Sequence, residues 1–352
     1  MPKVRSRGEE VRNFILKHMD NHGSDIAKVT AQKFAITRQA VNKHMQQLLK
    51  AGCLIVAGNT RNRTYKLAPL SEWVQSYELD ATQGEDLVWS RDIRERLGNL
   101  PENVTDIWHY GFTEMFNNAI DHSDGTLVNV RLAKTAASAE MMITDNGVGI
   151  FKKIQAELGL LDERHAIFEL SKGKLTTDPT RHSGEGIFFT SRMFDSFRIL
   201  SGDVYFSHDF GEEEDWVLEN EGTPGTAVFM RLHNHTARNL KRIFDQYSGG
   251  DDYGFNKTVV PVKLAQYGND KLISRSQAKR LLARVDLFTT VVFNFKDVPT
   301  IGQAFADEIF RVFALQHKNI DLIPVHMNSE VKRMISRAKA GAPPQGEDPK
   351  PT

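Results

Sequence analysis

Apolar positions recur at helical spacing in three successive stretches near the start of the chain. Over residues 9–22, Val11, Phe14, Ile15 and Leu16 gather near one helical face; Gly23 and Ser24 break the pattern, and Ser24 can cap the next helix. DIAKVTAQKF (25–34) forms a short second helix. With Thr37 as N-cap, RQAVNKHMQQLLKAG forms a third, turning Val41, Met45, Leu48 and Leu49 inward and ending at Gly52. The period then shifts toward alternation in CLIVAGNTRNRTYKLAP, which turns at Gly58-Asn59 and predicts a β-hairpin. Residues 69–104 are periodic only in pieces (LSEWVQSYEL, EDLVWSRDIRERLGNL), which predicts a helical connector. From 105 onward Ile107, Phe112, Met115, Phe116, Ala119 and Ile120 give one helix a broad apolar face, and the strands TLVNVRLAK and AEMMITDN come after it. Residues 256–337 alternate β–α–β–α–β–α through KTVVPVKLAQYG, SRSQAKRLLARVDLF, TTVVFNF, QAFADEIFRVFALQ, IDLIPVHM and SEVKRMISRAK, the pattern of a small α/β domain. The fold class expected is multidomain α+β.

Composition narrows the setting. The chain has 352 residues, 40% apolar and 26% charged, enough for two or three domains with a sizeable core. Cys53 is the single cysteine, so no intrachain disulfide can form and a reducing compartment is expected. MPKVRSRGEE has no apolar signal region and no apolar run approaches a membrane span, so a cytoplasmic chain without membrane insertion is expected. Net charge is zero but uneven: residues 1–70 hold 13 Lys/Arg against 4 Asp/Glu, the remainder 32 against 41. A basic first domain on an acidic chain points to an anionic partner for that domain, most simply nucleic acid, or to no more than a well-solvated surface.

Three helices and a hairpin make a winged helix-turn-helix, and TRQAVNKHMQQLLKAGCLIVAGNTRNRTYKL resembles the recognition helix and wing of many bacterial regulators. The resemblance implies duplex DNA as partner. Arg38, Gln39, Asn42 and Lys43 open the third helix, where side chains meet base edges, and Arg61 and Arg63 lie at the hairpin tip, where a wing meets phosphate or the minor groove. Protein contacts are the other use of such a domain.

The middle of the chain carries four short signals in order. In TDIWHYGFTEMFNNAIDHS, Glu114, Asn118 and His122 recur four apart on one helical face, aiming a carboxylate and an amide oxygen together. DNGVGI comes after a strand, HSGEGIFFTSRMFD opens a helix, and GTPGTAVFMRL leads into a final strand. Each signal alone is weak; the order ExxxN, DxGxG, GxG, GT over residues 105–232 resembles the N, G1, G2 and G3 boxes of the GHKL superfamily of Bergerat-fold ATPases.

That resemblance implies a Bergerat α/β sandwich that binds ATP and Mg²⁺. Asn118 matches the asparagine whose amide oxygen ligates Mg²⁺, and Asp145 the aspartate that accepts the adenine amino group. Gly147 and Gly149 match the glycines that admit the nucleotide. Gly184 and Gly186 match those at the phosphates, where a helix start offers free N–H groups. Thr226 matches the threonine closing the adenine pocket. Residues 151–183 correspond to the ATP lid, in which Lys172, Lys174 or Arg181 could approach the γ-phosphate; Lys174 is taken as the candidate. Glu114 matches the general base of hydrolysing members and the glutamate of anti-sigma-factor kinases, with an Mg²⁺-water contact as the lesser role. No phosphotransfer helical hairpin precedes the N box, which argues against a sensor histidine kinase.

VVFNFKDVPTIGQAFADEIF resembles the strand–turn–helix of STAS domains, and with SRSQAKRLL it fits more closely the STAS-like family that accompanies GHKL domains. The serine that a GHKL partner phosphorylates in antagonists falls at Ala304, beside Gln303, with Thr300 the nearest hydroxyl. The expected layout is therefore a winged helix-turn-helix at 1–68, a helical connector at 69–104, a GHKL ATPase at 105–235, a STAS-like domain at 256–337 and a disordered tail, AKAGAPPQGEDPKPT, at 338–352. The function expected is that of an ATP-binding, ATP-hydrolysing DNA-binding regulator whose nucleotide state gates the flanking domains. A protein partner at the STAS-like domain and a homodimer are compatible with it. An anti-sigma-type serine/threonine kinase acting on a separate protein, or a nucleotide-binding module without catalysis, are the alternatives.

Overall fold

The computed structural model describes residues 3–58, 63–79, 84–175, 184–211, 215–249, 252–266 and 271–340. Contacts divide the chain into two compact units. The first comprises residues 1–150, 193–202 and 222–240, the second 151–192, 203–221 and 241–352.

The first unit opens with α1 (Lys3–His18), α2 (Ile26–Phe34) and α3 (Arg38–Lys50), then the antiparallel hairpin β1 (Leu54–Ala57) and β2 (Thr64–Leu67). The element order is the one expected. Thr37 caps α3, its hydroxyl accepting the Ala40 N–H at 3.2 Å. Asp25, not Ser24, precedes α2, and its side chain makes no cap bond. Val11, Ile15, Met19, Ile26, Val41, Met45 and Leu48 close a core between the helices. Ala137, far along the chain, belongs to the same core, so the helices are packed onto the turn that contains it.

Residues 71–78 correct the expected helical connector. They form β3 (Ser71–Glu78), paired antiparallel with β4 (Leu127–Lys134) from Ser71↔Lys134 to Glu78↔Leu127. The segment is rich in Trp, Val and Tyr, which suit a pleated surface, and the open edge of β4 decides between two locally plausible periods. Among the described residues of that stretch, 85–97 keep the helical form, as α4 (Glu85–Val88), a π turn (Trp89–Ile93) and α5 (Arg94–Leu97), and 102–104 begin the next helix. The Tyr77 hydroxyl donates to Asp92 Oδ2 at 2.9 Å and Arg96 lies 4.4 Å over the Trp73 ring, fastening strand to helix.

Strand β3 is thus the edge of a five-stranded sheet in the order β3-β4-β5-β7-β6, with β5 (Ser138–Asp145), β6 (Ser196–Asp209) and β7 (Asp215–His233). The long helix α6 (Glu102–His122) buries Ile107, Trp108, Phe112, Met115 and Phe116 completely or nearly so. Such side chains contribute about 2–3 kcal/mol each by leaving water. Gly111 sets the closeness of this helix: a Cβ there would stand 2.4 Å from the Phe194 ring.

The second unit holds α7 (Ile150–Leu158), α8 (Glu163–Lys172), α9 (Gly186–Met193) and α10 (Leu240–Tyr247), then the short strands β8 (Ser248–Gly249) and β9 (Asp252–Phe255). Beyond them β10 (Lys257–Pro261), β11 (Thr290–Asn294) and β12 (Asp321–Val325) form a parallel sheet in that order. Helix α11 (Arg275–Leu282) joins the first pair, starting in a capping box in which Ser274 and Gln277 satisfy each other's N–H groups. The second crossover is α12 (Gln303–Asp307), a π turn (Glu308–Phe313) and α13 (Ala314–Gln316), and α14 (Ser329–Ala340) ends the described chain. The α/β alternation is as expected. Residues 338–340, expected in the tail, complete α14; the rest of that tail lies outside the described residues. The expected boundary at 235 is not where contacts divide the chain, because 151–192 groups with the C-terminal sheet.

Candidate functional site

Asp145 is the last residue of β5 and is almost fully buried. Its Oδ1 accepts the Gly147 N–H at 2.8 Å and the Thr226 N–H at 3.2 Å. Burial pushes the carboxyl above the ordinary aspartate range, and backbone donors led by Gly147 and Thr226, with the Thr226 hydroxyl, work against that shift. The Thr226 hydroxyl in turn accepts the Ile150 N–H at 3.0 Å. The turn after β5 and the G3 threonine are therefore one hydrogen-bonded assembly, with the carboxylate fixed at its centre.

The glycines here are crowded by protein. A Cβ at Gly147 would meet Ser123 O at 2.0 Å, where the end of α6 lies against the turn; the Val148 N–H donates to that same carbonyl at 2.9 Å. Gly149 takes a left-handed φ of +92°, and a Cβ on it would stand 2.7 Å from Ser201 Oγ. The expectation that both glycines make room for a ligand thus needs a second reason: both make room for backbone and side chains of the fold itself.

Sequence reasoning missed three participants. Gly225, at φ +73°, would place a Cβ 2.1 Å from Asp145 O. Ser201, fully buried, donates to Gly225 O at 2.9 Å. Ser123 supports the turn through its carbonyl. The GTPGT run holds Gly225 in plain view, but its need for glycine comes from Asp145, 80 positions earlier in the chain, and no local pattern shows that approach.

On α6, Glu114, Asn118 and His122 form a half-buried stripe beside the buried apolar face, the common face expected from their spacing. In the second unit, Gly184 has φ +70° and a Cβ on it would stand 2.4 Å from the Leu175 carbonyl carbon; Gly186 is the first residue of α9. The structure gives Lys174 another partner than phosphate: its ammonium donates to Leu287 O at 2.9 Å and lies 4.9 Å over the Phe288 ring. Lys172 is completely buried and paired with Glu169 at 2.7 Å, and Arg181 lies outside the described residues. On α3, Arg38, Gln39 and the side chains of Asn42 and Lys43 are all exposed. Arg63 is exposed with its guanidinium 5.2 Å from the Tyr65 ring, and Arg61 lies outside the described residues.

Comparison with known families agrees with two of these regions. Residues 87–204 match the histidine kinase-like ATPase domain, and residues 277–332 match a STAS-like domain of unknown function. The chain thus combines a histidine kinase-like ATPase domain with a C-terminal STAS-like domain. No curated protein matches the chain. Among the described residues no helix is long and apolar enough to cross a membrane.

Proposed function

We propose that the chain is an ATP- and Mg²⁺-binding regulator that turns nucleotide over and thereby gates DNA binding by a winged helix-turn-helix at its N-terminus. The observation that carries the nucleotide reading is Asp145. A buried carboxylate with Oδ1 committed to two backbone N–H groups offers its second oxygen to a donor, and the exocyclic amine of adenine is such a donor. Asn118 would supply a protein oxygen to Mg²⁺, with phosphates and water completing the shell, as suits a small hard cation. Glu114, one turn away, would orient or deprotonate the attacking hydroxyl or water. Gly184 and Gly186 would receive phosphate at the start of α9.

Two contacts support coupling to the N-terminal helices. Arg231 on β7 is hydrogen-bonded to Asp20, just past α1, and lies 3.5 Å from Glu140 on β5. Ala137, in the turn that leads into β5, is part of the N-terminal core. Strand β7 carries both Arg231 and Thr226, so a shift at the threonine has a short covalent path to the helices. The exposed row Arg38, Gln39, Asn42 and Lys43 supports a DNA-facing α3.

Incubating the purified full chain with γ-labelled ATP and Mg²⁺, with and without duplex DNA, tests the reading. Label released as free phosphate, together with nucleotide-dependent DNA affinity, is expected. Label transferred to an added protein would make the chain a protein kinase instead, and absence of nucleotide binding would end both readings.

A further inference from the structure

Helix α9, which opens at Gly186 just after Gly184 and Glu185, and the stem that precedes it are held by the C-terminal domain. The bonds are specific. Lys172, the last residue of α8, has an ammonium that donates to Glu169 Oε1 at 2.7 Å and to Ala283 O at 2.8 Å, just past α11. Burial draws this ammonium down to about 8, and the Glu169 carboxylate works against that shift. The carbonyl of Lys172 accepts the Thr258 hydroxyl, from β10, at 2.7 Å. Arg284, itself left-handed at φ +62°, bonds to Lys174 O and lies 3.4 Å from Glu169 Oε2. Phe255, which leads directly into β10, meets Phe188 and Phe189 of α9 at 4.6 and 4.9 Å between ring centres. Gly173 is required there, since a Cβ would stand 2.5 Å from the Phe255 ring. The stem also closes on the helix start: the Leu175 N–H donates to Gly184 O at 3.0 Å.

A buried lysine bonded to a main-chain carbonyl of another domain is an expensive arrangement unless its geometry is fixed, because each unmet charge in an apolar interior is strongly penalised. The stem of α9 therefore has one well-defined seat, made of Phe255, Thr258, Ala283 and Arg284. We propose that the STAS-like domain is the positioning element for α9, so that nucleotide phosphate bound at Gly184–Gly186 and the conformation of residues 283–288 are energetically coupled through Lys172, Glu169 and Arg284. The proposal rests on the ATP-binding reading above. By linkage the coupling is reciprocal: whatever docks on the C-terminal domain and moves this seat changes ATP affinity by the same factor.

Hydrogen exchange on the full chain, with calorimetry on the same samples, tests it. In the parent, saturating ATP–Mg²⁺ should slow amide exchange over residues 283–288 by about fivefold or more, the lower end of ordinary coupling. Arg284→Gln and Thr258→Val should each reduce that response to less than about twofold, with exchange in β11 unchanged as the sign that the domain remains folded. Arg284→Lys, which keeps the charge beside Glu169, should retain most of the response. Bound ATP in calorimetry with no change over 283–288 in the parent overturns the coupling and leaves the ATP reading standing. A full response in both Arg284→Gln and Thr258→Val also overturns it. Absence of ATP binding in the parent overturns both.

Discussion

Asp145→Asn separates the adenine contact from the fold that presents it. In the parent, Oδ1 holds the N–H groups of Gly147 and Thr226 at 2.8 and 3.2 Å. An asparagine carbonyl can keep both, so the turn should survive. The other carboxylate oxygen becomes an NH₂ group, and the adenine amine then faces a donor in place of a charged acceptor. A hydrogen bond to a charged group contributes about 1.5–3 kcal/mol, so ATP affinity should fall about 10- to 150-fold. The melting temperature should hold within about 3 °C, because burial already disfavours the ionised carboxyl and the amide removes that cost. A pH series adds a check of sign. The ionised form is the acceptor and its pKa is raised by burial, so affinity should be present above that raised pKa and be lost as pH falls through it, at higher pH than an ordinary aspartate would titrate. The asparagine variant should show no such step. Calorimetry from neutral to mildly acid pH reads both effects, and parent-like affinity in the variant would refute the assignment of Asp145 to adenine.

Glu114→Ala should leave ATP binding within a few-fold in calorimetry while phosphate release or transfer falls about 10²- to 10⁴-fold, the usual contribution of a general base; parent-like turnover removes Glu114 from that role. Gly225→Ala combines a left-handed φ with a Cβ 2.1 Å from Asp145 O, so denaturant unfolding should show a loss of at least about 2 kcal/mol, and a neutral result would mean that the turn can move. In the full chain, Arg63→Ala should weaken binding to all DNA sequences alike and make the salt dependence shallower by about one unit. Arg38→Ala or Gln39→Ala should instead flatten sequence preference in a binding-site selection, and equal loss on every sequence would place those residues on phosphate.

Short-range periodicity is the part of this fold that is legible in the sequence. Helix α6, its apolar face and the Glu114–Asn118 stripe follow from a 3.6 period, and the α/β alternation of residues 256–337 from the change of period along the chain. Strand β3 escapes such reasoning because its evidence lies in β4, about 50 residues away: LSEWVQSYEL is a passable helix until an open strand edge is available to pair with it. Lys174 misleads for a similar reason. As a lysine of the expected lid it is a candidate for phosphate, and its observed partner, Leu287 O, is 113 positions distant. Gly225 stands in plain view within GTPGT, yet only the approach of Asp145 makes a side chain there impossible. In each case the local pattern is compatible with two structures and a long-range contact chooses between them.

The C-terminal domain bears on which chemistry the ATPase domain performs. A phospho-switch of the STAS kind needs a hydroxyl at the exposed start of the helix after the central strand. That helix start exists here, with Gly302 preceding α12 and Gln303 and Ala304 both exposed, but neither side chain can accept a phosphoryl group. Thr300 is the nearest hydroxyl, and it is half-buried. It lies in the turn before α12, and the Asn328 side chain grips that turn by donating to Val298 O and Pro299 O, both at 3.0 Å. The start of α12 thus carries no phosphoryl acceptor, while the seat for the stem of α9 is built from buried ions and packed rings. A domain whose main-chain carbonyls at Ala283 and Leu287 hold Lys172 and Lys174, next to the helix proposed to take phosphate, is better suited to sense nucleotide than to receive its phosphate.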